Sequence, residues 1–477
     1  MNDHRDYRQA QSQDRPAARR WSRPALLLGT LGLALAPAAA LAAGDPTGGD
    51  PGGQDALRAA NFSWVLVAAF LVFFMQAGFA FLGAGFIRAK NTVNYLTKSF
   101  LDFCMASLSY WAFGFALMWG GSKAASGLDD GNAIIGYSGF FLTGDAYDVD
   151  TILSWFFQMV FAATAATIVA GAVAERTKIN AYLAYSFIVG AIIYPIYGHW
   201  VWGGGWLGSL ELGTGVKDFA GSGVVHAVGG LVGLAGAWMV GPRIGKFNAD
   251  GTPNKIRGHN MMYVLIGTFI LFFGWFGFNP GSTLAAGDLR IAVIATNTFL
   301  AGAVGAVAAM YITMVRSGGK VDLEMSCNGA LAGLVGITAP CAYVAPWAAV
   351  VIGAIAAVVL IVSLWFVESV LKVDDPVGAV SVHGSNGLWG LLAVGIFADG
   401  SYGDVKGLIV GEVGQLLAQL VDVGVVLVWG LGTGFILFGI LKVTMGLRVS
   451  EEEELAGLDV PEHGTEAYPA DTTATAA

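Results

Sequence analysis

Charge is scarce in this chain. Only 12% of its 477 residues are Asp, Glu, Lys or Arg, about half of what a soluble domain carries. The charge present sums to -9, which excludes nucleic acid as a partner, because phosphate binding needs clustered Lys and Arg. Cysteine is nearly absent. Cys104, Cys327 and Cys341 stand singly in or beside apolar runs, with no metal-ligand spacing. They read as small buried hydrophobes, and neither metal, cofactor nor enzymatic chemistry is expected. What fills the chain is apolar: 55% of it is hydrophobic and 68 residues are glycine. That is the composition of closely packed membrane helices.

The amino terminus stands apart. Arg15, Arg19, Arg20 and Arg23 form a basic region, and an apolar run from Ala25 to Ala36 follows between Pro24 and Pro37. The run is too short to span comfortably, and Ala40-Leu41-Ala42 offers a small-residue cleavage site. Residues 1–43 therefore read as a cleavable signal peptide, and 44–60 as a flexible exported terminus. Residues 61–447 hold eleven apolar segments, near 63–87, 99–120, 152–174, 180–201, 220–241, 261–280, 291–315, 325–342, 346–370, 378–398 and 408–446. The expected fold is an all-α membrane protein of eleven transmembrane helices, with a cytoplasmic tail over 448–477. Charge counting agrees with that topology. Fourteen Lys and Arg, from Arg88 to Arg448, fall in segments expected inside, against Arg58, Lys123, Lys217, Arg290 and Lys406 outside. This is the asymmetry of the positive-inside rule, for a protein of the cell inner (plasma) membrane.

One motif occurs twice. Asp218, Gly221, Val225, His226, Gly230, Leu231 and Gly233 share their spacing with Asp375, Gly378, Val382, His383, Gly387, Leu388 and Gly390. Each copy is expected to place an Asp at a helix start and a His two turns deeper, about 12 Å along the axis. That reaches near the centre of a hydrocarbon layer about 30 Å thick, where an ionisable residue marks a conduction path by default. The copies open helices 5 and 10, which run in opposite directions, so the chain reads as a five-plus-five inverted repeat. Paired neutral imidazoles can line a narrow pore and relay a proton. Haem ligation is the rival use, but glycine-tight packing leaves little room for a macrocycle. Asp218 and Asp375 first read as caps for orphan backbone amides, with Asp218 also placed to stabilise an incoming cation.

Three aromatic runs fall on the outer side: Phe157 to Phe161, Trp202 to Trp206, and Gly274 to Ser282. Singly each fits an interfacial belt. Together their ring faces can hold a small cation by about 2 kcal/mol at most, with the Ser282 hydroxyl accepting a hydrogen bond.

These stretches resemble the ammonium transporter family, the Amt/Mep/Rh superfamily, on its bacterial Amt-type branch. The likeness runs from about Phe74 to Pro469. It is carried by Gln76-Ala77-Gly78-Phe79, Arg88-Ala89-Lys90-Asn91-Thr92, Asp218 through His226, Gly274 through Ser282, Val382-His383-Gly384, and the tail pieces Gly446-Leu447-Arg448-Val449, Gly457-Leu458-Asp459 and His463-Gly464. The resemblance implies a homotrimer with one pore per subunit, carrying ammonium or ammonia across the lipid bilayer. It implies an outer substrate site at Phe161, Trp202, Ser282 and Asp218, a gate at Phe161 and Phe278, and a twin-histidine relay at His226 and His383. The tail resembles the part that engages PII-type regulators. Pro280 and Gly378 depart from some relatives. The alternative is an ammonium sensor on the same fold, although a sensor usually carries an appended output domain. Glu451 to Glu454 read as a solvated helix start.

Overall fold

A computed structural model describes residues 56–121, 128 and 131–469. The expected signal peptide lies outside the described residues. Eleven main helices follow in order: α1 Ala56–Phe86, α2 Ala89–Trp119, α3 Val149–Ala172, α4 Ile179–Val201, α5 Ser222–Val240, α6 Met261–Thr283, α7 Ile291–Arg316, α8 Leu323–Thr338, α9 Pro346–Val370, α10 Val380–Phe397 and α11 Gly414–Thr444. Short α12 Glu451–Ala456 and α13 Asp459–His463 end the described chain. Among the described residues there is no strand, only isolated bridges.

Ten of these helices are long and apolar enough to cross a membrane. The exception is α8, where 325–342 read as a span. It has 16 residues, about 24 Å of helix, because the helix ends at Thr338 and the chain turns over residues 339–343. Residues 56–60, expected to be loose, are the first turns of α1. The last segment starts at Gly414 rather than 408, and its 31 residues rise about 46 Å, more than one hydrocarbon layer.

The helix pairings repeat after a shift of five. α3 packs on α5 as α8 packs on α10, α2 on α3 as α7 on α8, and α2 on α4 as α7 on α9. α1 and α6 pair with each other. At the centre α5 and α10 cross at glycine. A Cβ on Gly230 would lie 2.2 Å from the Gly384 backbone nitrogen, and one on Gly387 2.4 Å from the Ser222 carbonyl oxygen. These repeated glycines therefore let two backbones touch.

Alternate loops meet on one face of the bundle. Buried Glu175 accepts from the Arg88 amide and Nε, Asn91 Nδ2 and Arg243 Nη1. Asp374 accepts from the Arg243 amide, Nε and Nη2. The tail docks here too. Lys178 N donates to Leu447 O at 2.8 Å and Val449 N to Arg176 O at 3.0 Å. The acidic run is a helix start, with a Ser450–Glu453 capping box, but it is not wholly solvated. Glu454 is 1% exposed and accepts from Ile244 N and from Arg448 Nε and Nη2.

Candidate functional site

Each copy of the motif begins with a cap. The Asp218 carboxylate accepts from four backbone amides, those of Gly221, Ser222, Gly223 and Val224, at 2.8–2.9 Å. Asp375 accepts from Ala379 and Val380 at 3.0 and 2.7 Å. Between cap and helix, Gly221 has φ +113° and Gly378 φ +79°, a left-handed turn that side chains resist. The helices thus begin at Ser222 and Val380, and each His lies about one turn inside its helix rather than two. Asp218 itself is 4% exposed, so the cap is buried within the protein. Burial pushes its carboxyl up, and the four amides oppose that shift. Burial likewise pushes Asp375 up to about 6, against the pull of its amide bonds.

Both histidines sit on π-helical turns, Ser222–Ala227 and Val380–Ser385. Such turns often mark functional positions. The two rings are stacked at 25° with centroids 5.2 Å apart, and Nδ1 faces Nδ1 at 3.2 Å. A bond between two Nδ1 atoms needs one N–H and one lone pair. Two neutral rings therefore adopt opposite tautomers, and exchanging them moves a proton from one end of the pair to the other. His226 Nε2 is buried with no partner.

Above His226 the rings continue. Phe278 lies 5.3 Å from it, Phe161 lies 4.2 Å from Phe278, and Trp202 lies 6.5 Å from Phe161. Trp202 Nε1 donates to the Asp218 carbonyl oxygen at 2.6 Å, so the cap also orients the indole. The Ser282 hydroxyl donates to Phe278 O at 2.8 Å, which leaves its lone pairs available to accept. The sequence-expected residues are thereby brought together, with one change. Both Asp218 carboxylate oxygens are engaged by helix amides rather than free to face the outer rings.

Two neighbours lie in stretches quoted above but have no individual site role there. Trp275 stacks on His226 at 5.2 Å and is held by a bond from Nε1 to Thr338 Oγ1 of 2.9 Å. Phe79 packs against His383 at 6.0 Å. Both lay inside apolar runs that a buried helix face explains equally well. Below His383 a cavity of about 20 Å³, lined also by Phe79, Thr167 and Asn328, has room for about one water.

A sequence model described as Ammonium Transporter Family matches residues 63–468. The chain belongs to that family. It is 54% identical over 440 residues to Ammonium transporter Amt2 of Archaeoglobus fulgidus, covering 88% of this chain and 92% of that one. It is 40% identical over 442 residues to Ammonium transporter 1 member 3 of Solanum lycopersicum, covering 86% and 93%. Among solved structures it resembles the Sensor Amt Protein, with TM-score 0.78 and 40% identity over 85% of this chain and 99% of that one. Candida albicans Mep2 is similar at TM-score 0.75 and 29% identity, covering 86% and 91%. Family membership and ten apolar spans make this a multi-span membrane protein of ammonium transport.

Proposed function

We propose that the protein captures ammonium outside the cell, strips its proton and passes ammonia through the His226–His383 pore. The observation that carries this reading is the unbroken column of rings from half-buried Trp202 through the buried Phe161, Phe278 and His226 to His383. A bare cation cannot follow such a column. Moving an ion of ammonium size into a low-dielectric interior costs on the order of 20 kcal/mol before relaxation, against about 2 kcal/mol from a ring face. Ammonia carries no such penalty. Potassium resembles ammonium in charge and size but has no proton to lose, so it stays out. Trp202, Phe161 and Ser282 form the capture site in this scheme, Phe161 and Phe278 the gate, and the imidazole pair the relay.

The membrane arrangement belongs to the same reading: eleven spans with α8 as a short one, a five-plus-five inverted repeat, an exported amino terminus and a cytoplasmic tail in the inner membrane. The repeated pairings and the gathering of alternate basic loops with the tail support it. A homotrimer and a PII-type partner at the tail follow from the family resemblance. No observation favours a sensor over a transporter.

Reconstitution tests the function. Proteoliposomes under an inward ammonium gradient should take up ammonia and carry inward current. Uptake without current removes the proton-following version, and absence of both sinks the transport reading.

A further inference from the structure

One buried carboxyl group takes no part in the pore just described. Asp102, on α2, is 0% exposed and makes no ion pair among the described residues. Tyr182 OH of α4 lies 2.5 Å from its Oδ2, and Thr167 Oγ1 of α3 lies 2.9 Å from its Oδ1. Thr167 Oγ1 also lies 2.8 Å from Gln76 Oε1 of α1, while Gln76 Nε2 is buried with no partner.

Proton counting makes this arrangement informative. The Thr167 hydroxyl has one hydrogen but faces two acceptor oxygens. In one arrangement Asp102 is the acid: its O–H donates to Thr167, and Thr167 donates to Gln76 Oε1. In the other Asp102 is ionised, Thr167 donates to it, and the Gln76 amide turns over so that Nε2 donates to Thr167. Each arrangement satisfies the hydroxyl, and they differ by one proton. The charged form gains two hydroxyl donors, and the neutral form avoids an unpaired buried charge.

Thr167 also lines the cavity beneath His383. The other titratable groups facing Asp102 are Tyr95 and Cys104 on its own helix and Tyr185 on α4. Lys98, one turn away, is engaged by Asn94, the Thr177 carbonyl and Glu462. Asp102 therefore has no fixed counter-charge.

The geometry points to Asp102 as a proton-holding site on the inner half of the pore, exchanging its proton through the Thr167 hydroxyl with water or ammonia in the cavity below His383. The Asp102 acid becomes carboxylate as the cavity molecule gains one proton, ammonia becoming ammonium or water hydronium, while Thr167 accepts one hydrogen and donates another. This inference rests on the transport reading and assigns a residue to its proton branch.

The test uses full-length protein in proteoliposomes. Asp102→Asn and Thr167→Val should each lower the charge carried per ammonia delivered by about a hundredfold, the lower end of what a positioned proton donor contributes, and Asp102→Glu should restore it. Infrared spectra of the parent should show a carboxylic-acid C=O band on acidification. That band should be missing in Asp102→Asn and shifted in Thr167→Val. Asp102→Asn vesicles with the parent ratio, or a parent band retained in that variant, overturn the inference. Parent vesicles without current sink the proton branch itself, an outcome separate from a variant that matches an active parent.

Discussion

Replacing Gly230 by alanine should do more damage than the same change three residues on at Gly233, although both glycines belong to one motif. A methyl on Gly230 would stand 2.2 Å from Gly384 N, 2.5 Å from Gly384 Cα and 3.0 Å from His383 C, all backbone atoms that cannot rotate away. Ordinary carbon contacts begin near 3.5 Å, so α5 and α10 must part by roughly 1 Å at the crossing that carries both histidines. Overpacking of this kind costs typically about 1–3 kcal/mol. The 3.2 Å Nδ1···Nδ1 bond would stretch past hydrogen-bonding range, removing about 1 kcal/mol more along with the tautomer exchange. A methyl on Gly233 meets Ala172 Cβ at 3.3 Å and Val169 Cα at 3.6 Å, which small adjustments absorb. Thermal unfolding in detergent and vesicle uptake read both effects. Gly230→Ala should be destabilised and nearly inactive, and Gly233→Ala close to the parent. Equal behaviour of the two variants would refute the crossing argument.

Other expectations follow from single residues. Phe278→Ala removes the ring lying between Phe161 and His226, so potassium should leak through vesicles that otherwise exclude it; an unchanged potassium flux contradicts the gate. Asp218→Asn replaces one of two acceptor oxygens with an amide facing the Gly223 and Val224 N–H groups. Charge-assisted bonds are worth about 1.5–3 kcal/mol each, so unfolding should come several degrees earlier even if Trp202 is intact. At Asp374 burial raises the carboxyl, but Arg176 and Arg243 outweigh it and hold it well below the carboxylate range. Its contribution is present above the unfolded value of about 3.9 and lost as pH falls. The stability gap between parent and Asp374→Asn should be constant near neutrality and shrink below about pH 4. Glu454→Ala strips Arg448 and the Ile244 amide of their acceptor, and limited proteolysis should then cut the tail, which stays protected in the parent.

Helix positions were legible because apolar runs of membrane length are hard to mistake. The short α8 was not, since its run continues in composition through Ala339 and Cys341 while the backbone turns. The histidine pair was legible from a repeat containing Asp and His, residues too rare here to recur by chance. The helix starts lie about a turn beyond the two Asp residues. Spacing alone does not show that Gly221 and Gly378 bend the chain before each helix begins. π-helical turns leave no periodic signature, and Trp275 is one aromatic among many in α6. Asp102 was hidden differently: its partners come from α1, α3 and α4, and a lone Asp in an apolar run says nothing of what it faces. Glu454 looked solvated because its acidic neighbours are.

The account stands on neutral passage past paired imidazoles. Its most direct measurement is ammonium and potassium current, with ammonia uptake, in proteoliposomes of the parent, His226→Ala and His383→Ala. The parent should move ammonium and reject potassium, and each variant should lose the proton current or admit potassium. Parent-like current and selectivity in both variants would contradict it.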